Sequence, residues 1–190
     1  MSKILYIGHF YRGSTENNRL LDLKEHFDID KYDLSRHFPL WRRSSSSFFR
    51  KLNFGPPYFN VFLELKNIIK KKSYTLVLIE KNLYLNPKRI KFLFKNKEIK
   101  VIMFCHDNVL YKNNNSKILF KSIPLLDGII TTKASNIDYF KRNGCTKVFL
   151  INNAASYIHS KKFQKVKRHI EAEFRYEIGF IGRWEKEREE

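Results

Sequence analysis

Residues 99–105 read Ile-Lys-Val-Ile-Met-Phe-Cys, and the run stops abruptly at His106-Asp107-Asn108. A nearly continuous apolar run of this length, with a polar tip, predicts a strand buried on both faces. Two more runs of the same kind follow. Gly128-Ile129-Ile130-Thr131-Thr132 leads into a helical pattern over Ser135 to Arg142, closed by Asn143-Gly144. Lys147-Val148-Phe149-Leu150-Ile151 then ends in Asn152-Asn153-Ala154. Short apolar runs alternating with helical segments predict parallel strands joined by right-handed crossovers. Ligands of such sheets bind outside the carboxyl ends of the strands, so the polar tips are where a site is expected.

Working outward, Lys3 to Gly8 predicts the first strand, and Ser14 or Thr15 caps a helix running to about His26. The spacing from Gly8 to Gly13, followed by Ser14-Thr15, approaches a phosphate-binding loop but lacks its lysine, and the three-glycine dinucleotide fingerprint is absent. That argues against an ATPase or a dehydrogenase. The turn's free N–H groups still suit an anion or a sugar hydroxyl. Phe27 to Leu34 predicts a second strand, Tyr58 to Lys72 a helix with an apolar stripe, and Thr75 to Ile79 a third strand tipped by Glu80-Lys81-Asn82. Pro87 starts a helix to about Asn96, and Ile118 to Leu126 another. The order predicts an α/β fold, a Rossmann-like doubly wound parallel sheet without internal repeats.

The 190 residues suit one domain and the start of a second, and 43% hydrophobic with 15% aromatic content is globular. No apolar run approaches the roughly 20 residues that span a bilayer, and Met1-Ser2-Lys3 leads into a strand too short for a signal peptide. Cys105 and Cys145 stand alone, which fits a reducing cytoplasm and neither a disulfide framework nor a zinc site. A cytoplasmic location, with peripheral association at the inner face of the membrane, is the expectation. The net charge of +18 would attract nucleic acid, anionic lipid or phosphorylated substrates. Its charges are dispersed, Lys, Asn, Ile, Phe and Tyr are over-used together as in an AT-rich coding sequence, and no nucleic-acid module accompanies them, so a nucleic-acid partner is not expected.

Two further features carry alternatives. Asp28-Ile29-Asp30 has the spacing with which some glycosyltransferases hold a metal and a nucleotide diphosphate, yet it falls near a strand's beginning, where exposed acids are commoner. No metal is expected. The long loop from Ser35 to Pro57 carries Trp41-Arg42-Arg43, four serines and Phe48-Phe49-Arg50-Lys51. It reads equally as a contact for an anionic acceptor or membrane surface and as a serine-rich loop with incidental charges.

The segments IMFCHDN (102–108), PLLDGIITTKASNIDYFKRNGCTKVFLINNA (124–154) and EIGFIGRWEKERE (177–189) resemble the CgeB-like glycosyltransferases, relatives of the large group of GT-B sugar transferases. The resemblance implies two Rossmann-like domains facing across a cleft, the N-terminal one holding the acceptor and the C-terminal one the nucleotide sugar. It implies an acceptor-side domain over 1–154, an interdomain linker over 155–176, and the first strand and turn of a donor domain over 177–190. The chain would then stop early in its donor domain and transfer no sugar alone, a separate partner supplying the missing half. Gly182 and Arg183 match the turn near the donor phosphates.

The same resemblance implies the roles at the strand tips. His106 corresponds to a histidine against the donor sugar, with Asp107 orienting it or binding an acceptor hydroxyl. His9 corresponds to the base of some inverting relatives, with a strand-tip aspartate as partner, for which Asp107 would serve. Both histidines therefore remain candidates. Gly8, Arg12, Ser14, Glu80, Asn108, Thr132, Asn152 and Asn153 complete the expected substrate-binding set. No cofactor is expected beyond the nucleotide sugar as donor substrate. The reading from another class is a non-catalytic Rossmann-like module for an anionic polymer or nucleic acid, which steep salt dependence without sugar specificity would reveal.

Overall fold

The computed structural model describes residues 3–38, 55–81 and 84–152. Among these, six strands form one sheet: β1 (Ile4–Gly8), β2 (Ile29–Asp33), β3 (Leu76–Glu80), β4 (Lys100–Cys105), β5 (Gly128–Thr131) and β6 (Val148–Leu150). Their order is β2-β1-β3-β4-β5-β6 and every pairing is parallel. The expected Rossmann-like parallel α/β sheet is therefore observed. The helices are α1 (Thr15–Lys24), α2 (Pro56–Lys71), α3 (Pro87–Leu93), α4 (Lys117–Ser122) and α5 (Ser135–Arg142).

Local chemistry explains where these elements begin. Ser14, Asn86 and Ser116 each have an extended backbone, and their side-chain oxygens accept from the amides of Asn17, Arg89 and Leu119, all at 3.0 Å. α2 starts two residues earlier than the apolar stripe predicts, because Pro56 and Pro57 occupy its first turn. There the missing N–H costs nothing and the fixed φ suits a helix. The helices predicted to end at Asn96 and Leu126 finish earlier and tighten into 3-10 turns at Lys95–Lys97 and Ile123–Leu125.

The register stacks Leu5, Val77 and Val101 in one row and Ile7, Ile79, Met103 and Ile129 in the next, all buried. On this face Val61 and Leu65 of α2, Ile90 of α3, Leu119 of α4 and Phe140 of α5 complete one core. Each such side chain contributes roughly 1.5–3 kcal/mol when fully buried, which fixes the sheet's orientation against these helices. The opposite face carries a second cluster of Tyr6, Phe10, Leu20 and Ile29, with α1 packed on it. Among the described residues the far edge differs from the expected two-sided burial. Phe149, Leu150 and Ile151 are exposed, since β6 pairs only with β5.

The chain path reverses between β1 and β3. From β1 the chain moves outward to β2, then crosses back so that β3 lies on the other side of β1. At such a reversal the connections leave to opposite faces and open a crevice at the carboxyl edge.

Candidate functional site

Parallel pairing brings Gly8, Glu80, His106, Thr132 and Asn152 to the same carboxyl edge, in strand order. Strands stand roughly 4.8 Å apart, so β1 and β6 are separated by about 19 Å. His9 and Asn152 consequently share an edge but belong to opposite ends of it. His9 follows β1, Lys81 follows β3, and His106 and Asp107 follow β4, the strands at and beside the reversal.

The loop after β1 is held from three sides. His9 Nε2 lies 2.8 Å from the Tyr84 hydroxyl, and the two rings pack edge to face. Ser14 Oγ donates to the His9 carbonyl at 2.9 Å while capping α1. The Phe10 amide donates to Asp33 Oδ1 at 3.2 Å, and the same oxygen accepts from the Ser35 amide at 2.9 Å. Asp33 is buried enough to raise its pKa, but these amide bonds and the nearby His9 outweigh that and hold it below the ordinary carboxylate value. His9 thus has a strand-tip aspartate in its electrostatic reach, and it is the one closing β2.

Beyond β3 and β4 a second cluster forms. Lys81 pairs with Asp107 Oδ2, and His106 Nε2 stands 3.3 Å from Asp107 Oδ1. The carboxylate therefore lies between an ammonium and an imidazole. Asn136, buried in α5, fixes the loop from beneath: its Nδ2 donates to the Asp107 carbonyl at 2.7 Å and to Thr131 Oγ1 at 3.0 Å. Its Oδ1 accepts from the Val109 amide at 3.0 Å. Thr132 Oγ1 donates to the His106 carbonyl at 3.2 Å, so this expected ligand contact also braces the loop. Asn108 Oδ1 accepts from the Leu110 amide at 3.1 Å.

Glu80 is turned inward. It is the last residue of β3 and is only 7% exposed; the Tyr6 hydroxyl and the Arg19 guanidinium both donate to its Oε1. Arg19 reaches this carboxylate from α1 across the Phe104 ring, 3.7 Å from its centroid. Burial pushes the Glu80 carboxyl up to about 7 despite these partners. Gly8 answers to the same group: a Cβ there would stand 3.0 Å from Glu80 Cγ and 3.2 Å from Phe10 Cζ. The glycine permits this close approach of side chains.

Arg12 lies exposed in the connection from β1 to α1. Asn153, Gly182, Arg183, the loop cluster around Trp41 and the domain boundaries beyond Asn152 fall outside the described residues. Asp28 and Asp30 are taken up by cations. Lys3 approaches both, and Asp30 also accepts from Lys72 at 2.9 Å and from the Tyr74 hydroxyl at 2.7 Å. Sequence reasoning placed Lys81 in a strand tip without giving it a role, and missed Tyr84, Asn136, Tyr6 and Arg19. Tyr84 was findable as a residue just past a strand tip; Asn136 and Arg19 are helical positions whose direction depends on packing.

No family model matches the chain, and no curated protein matches it. Among solved structures it is similar to a UDP-N-acetylglucosamine 2-epimerase, at 12% identity and a TM-score of 0.52, over 80% of this chain and 48% of that one. The chain thus spans about half the length of the epimerase. This likeness shows the fold, a Rossmann-like parallel α/β domain.

Proposed function

We propose that this chain is the acceptor-side part of a CgeB-like glycosyltransferase that moves a sugar from a nucleotide-sugar donor to a glycan, lipid or protein acceptor. The observation that carries the reading is the polar arrangement at the sheet's reversal, with His9 against Tyr84 on one side and His106, Asp107 and Lys81 on the other. Glycosyl transfer needs an acceptor hydroxyl positioned against the anomeric carbon and relieved of its proton. An imidazole at the crevice, His106 or His9, takes that proton, and the Asp107 carboxylate steadies the imidazolium or accepts from the sugar hydroxyl. Cations and helix N-termini stabilise the departing diphosphate without a metal. Gly182 and Arg183 fill that donor-phosphate role in this reading, and a donor-binding domain completes the site.

Titrating the isotope-labelled chain with nucleotide sugars and with short glycans, while following amide chemical shifts, tests the reading. Saturable shifts confined to His9, Tyr84, His106, Asp107 and their neighbours are expected. Shifts elsewhere, or none with any sugar ligand, would sink it. Salt-sensitive binding to nucleic acid at this edge would favour the non-catalytic module instead.

A further inference from the structure

The connection from β4 into α4 builds a second surface, separate from the strand tips. Leu110, Lys112, Ser116, Lys117, Phe120 and Lys121 line a shallow depression of about 370 Å³. Leu110 is 53% exposed, its neighbour Tyr111 48% and Phe120 50%. α4 is apolar on its inner face and carries one exposed aromatic ring between two lysines on its outer face. Ile118 and Leu119 enter the core, while Lys117, Phe120 and Lys121 share the outer face, as positions three and four apart on a helix must.

The charge of this surface has one sign. No acidic residue occurs between Asn108 and Leu126, whereas Lys112, Lys117 and Lys121 lie within it. The acids bounding the stretch are already engaged, Asp107 by Lys81 and Asp127 by Lys95 at 2.7 Å. Among the described residues none of the three lysines makes an ion pair. The surface is also preformed: Asn114 Nδ2 donates to the Asn108 carbonyl at 3.0 Å, Asn115 Nδ2 to the Tyr139 hydroxyl at 2.7 Å, and Ser116 caps the helix.

We propose that this surface docks the protein on an anionic phospholipid membrane, with Leu110, Tyr111 and Phe120 entering the interface and the three lysines meeting the headgroups. An apolar centre rimmed by cations is the chemistry of interfacial attachment. Leu110 distinguishes this partner from a nucleic acid, because an aliphatic side chain gains from hydrocarbon and offers no ring for a base to stack on. Among the described residues no helix is long and apolar enough to cross a membrane, so attachment is peripheral here. The surface begins on the loop that follows Asp107, so a bilayer bound there would lie beside the carboxyl edge.

Co-sedimentation with phosphatidylcholine vesicles, with and without phosphatidylglycerol, tests the proposal on the full chain. Binding should require phosphatidylglycerol. Each lysine near an anionic surface contributes about fivefold, so K112Q/K117Q/K121Q should weaken binding roughly a hundredfold. Neutralising the exposed K24Q/K70Q/K71Q, an equal charge elsewhere, should change it far less. L110S/F120S keeps every charge and should still lose tenfold or more. All substituted side chains are exposed, and unchanged circular dichroism verifies the fold. Equal losses from the two lysine triplets, full binding by L110S/F120S, or release of vesicles by single-stranded DNA would each overturn the proposal. Because the readout is membrane binding, none of these outcomes bears on sugar transfer.

Discussion

The side-chain amide of Asn136 donates to the carbonyl of Asp107 at 2.7 Å, so a helix on one side of the sheet sets the position of a carboxylate at its edge. The same side chain accepts from the Val109 amide and donates to Thr131, and it is fully buried. Replacing it leaves buried groups unsatisfied, which costs more than the bonds contribute. Asn136→Ala should lower stability by roughly 2–3 kcal/mol in urea unfolding, with Asp107 and Val109 losing hydrogen-exchange protection first. A loss under about 0.5 kcal/mol would show that the loop is held by something else.

Much of this arrangement was legible from patterning alone. Ile99 to Cys105 announces a buried strand through its apolar run, and Ser135 to Arg142 a helix through its spacing and the closing Asn143-Gly144; once the strands are parallel, the tips share an edge. Glu80 was not legible. In sequence it is the first polar residue after an apolar run, like His106, but the ladder extends one residue further along β3 and its alternation turns Glu80 onto the α1 face. Nor does the chain reveal which acid sits near His9. That depends on β2 lying beside β1, which places Asp33 opposite Gly8.

The pair of Lys81 with Asp107 is partly exposed, with 18% and 28% of the side chains accessible, so its contribution to stability is small. Asp107→Asn should change stability by less than about 1 kcal/mol. Under the proposed function it should nevertheless abolish the sugar-dependent amide shifts in the loop after β4, as should His106→Ala. Retained shifts in both variants, with normal affinity, would move the site to His9 and Tyr84.

Two glycines separate backbone strain from crowding. Gly144 has φ +98, and a Cβ there would stand 3.3 Å from two atoms of Pro124; Gly13 has φ +86 with nothing within 4 Å. Both substitutions to Ala incur the left-handed penalty, roughly 1 kcal/mol, but only Gly144→Ala must also displace the turn after α4. Thermal unfolding should therefore show Gly144→Ala as the more damaging by at least about 1 kcal/mol. Equal losses would mean that the Pro124 turn yields freely.

Glu80 should set a pH dependence of stability that runs opposite to that of the surface acids. Its carboxyl ionises near 4.5 when unfolded and near 7 when folded, because desolvation outweighs the help of Arg19 and Tyr6. Between these values the folded chain holds a proton that the unfolded chain has released, so stability falls as pH rises through that window. Asp30, Asp33 and Asp127 are shifted downward and act only at lower pH, where protonation removes their contribution. Glu80→Gln keeps the shape, accepts from Tyr6 and Arg19, and cannot ionise. The variant should therefore gain on the parent by roughly 2–3 kcal/mol between pH 4.5 and 8, measured by urea unfolding at each pH. The opposite slope, with the parent gaining as pH rises, would mean that attraction to Arg19 dominates burial. Glu80 would then act as a carboxylate anchor for α1 and not as a group that carries a proton at neutral pH.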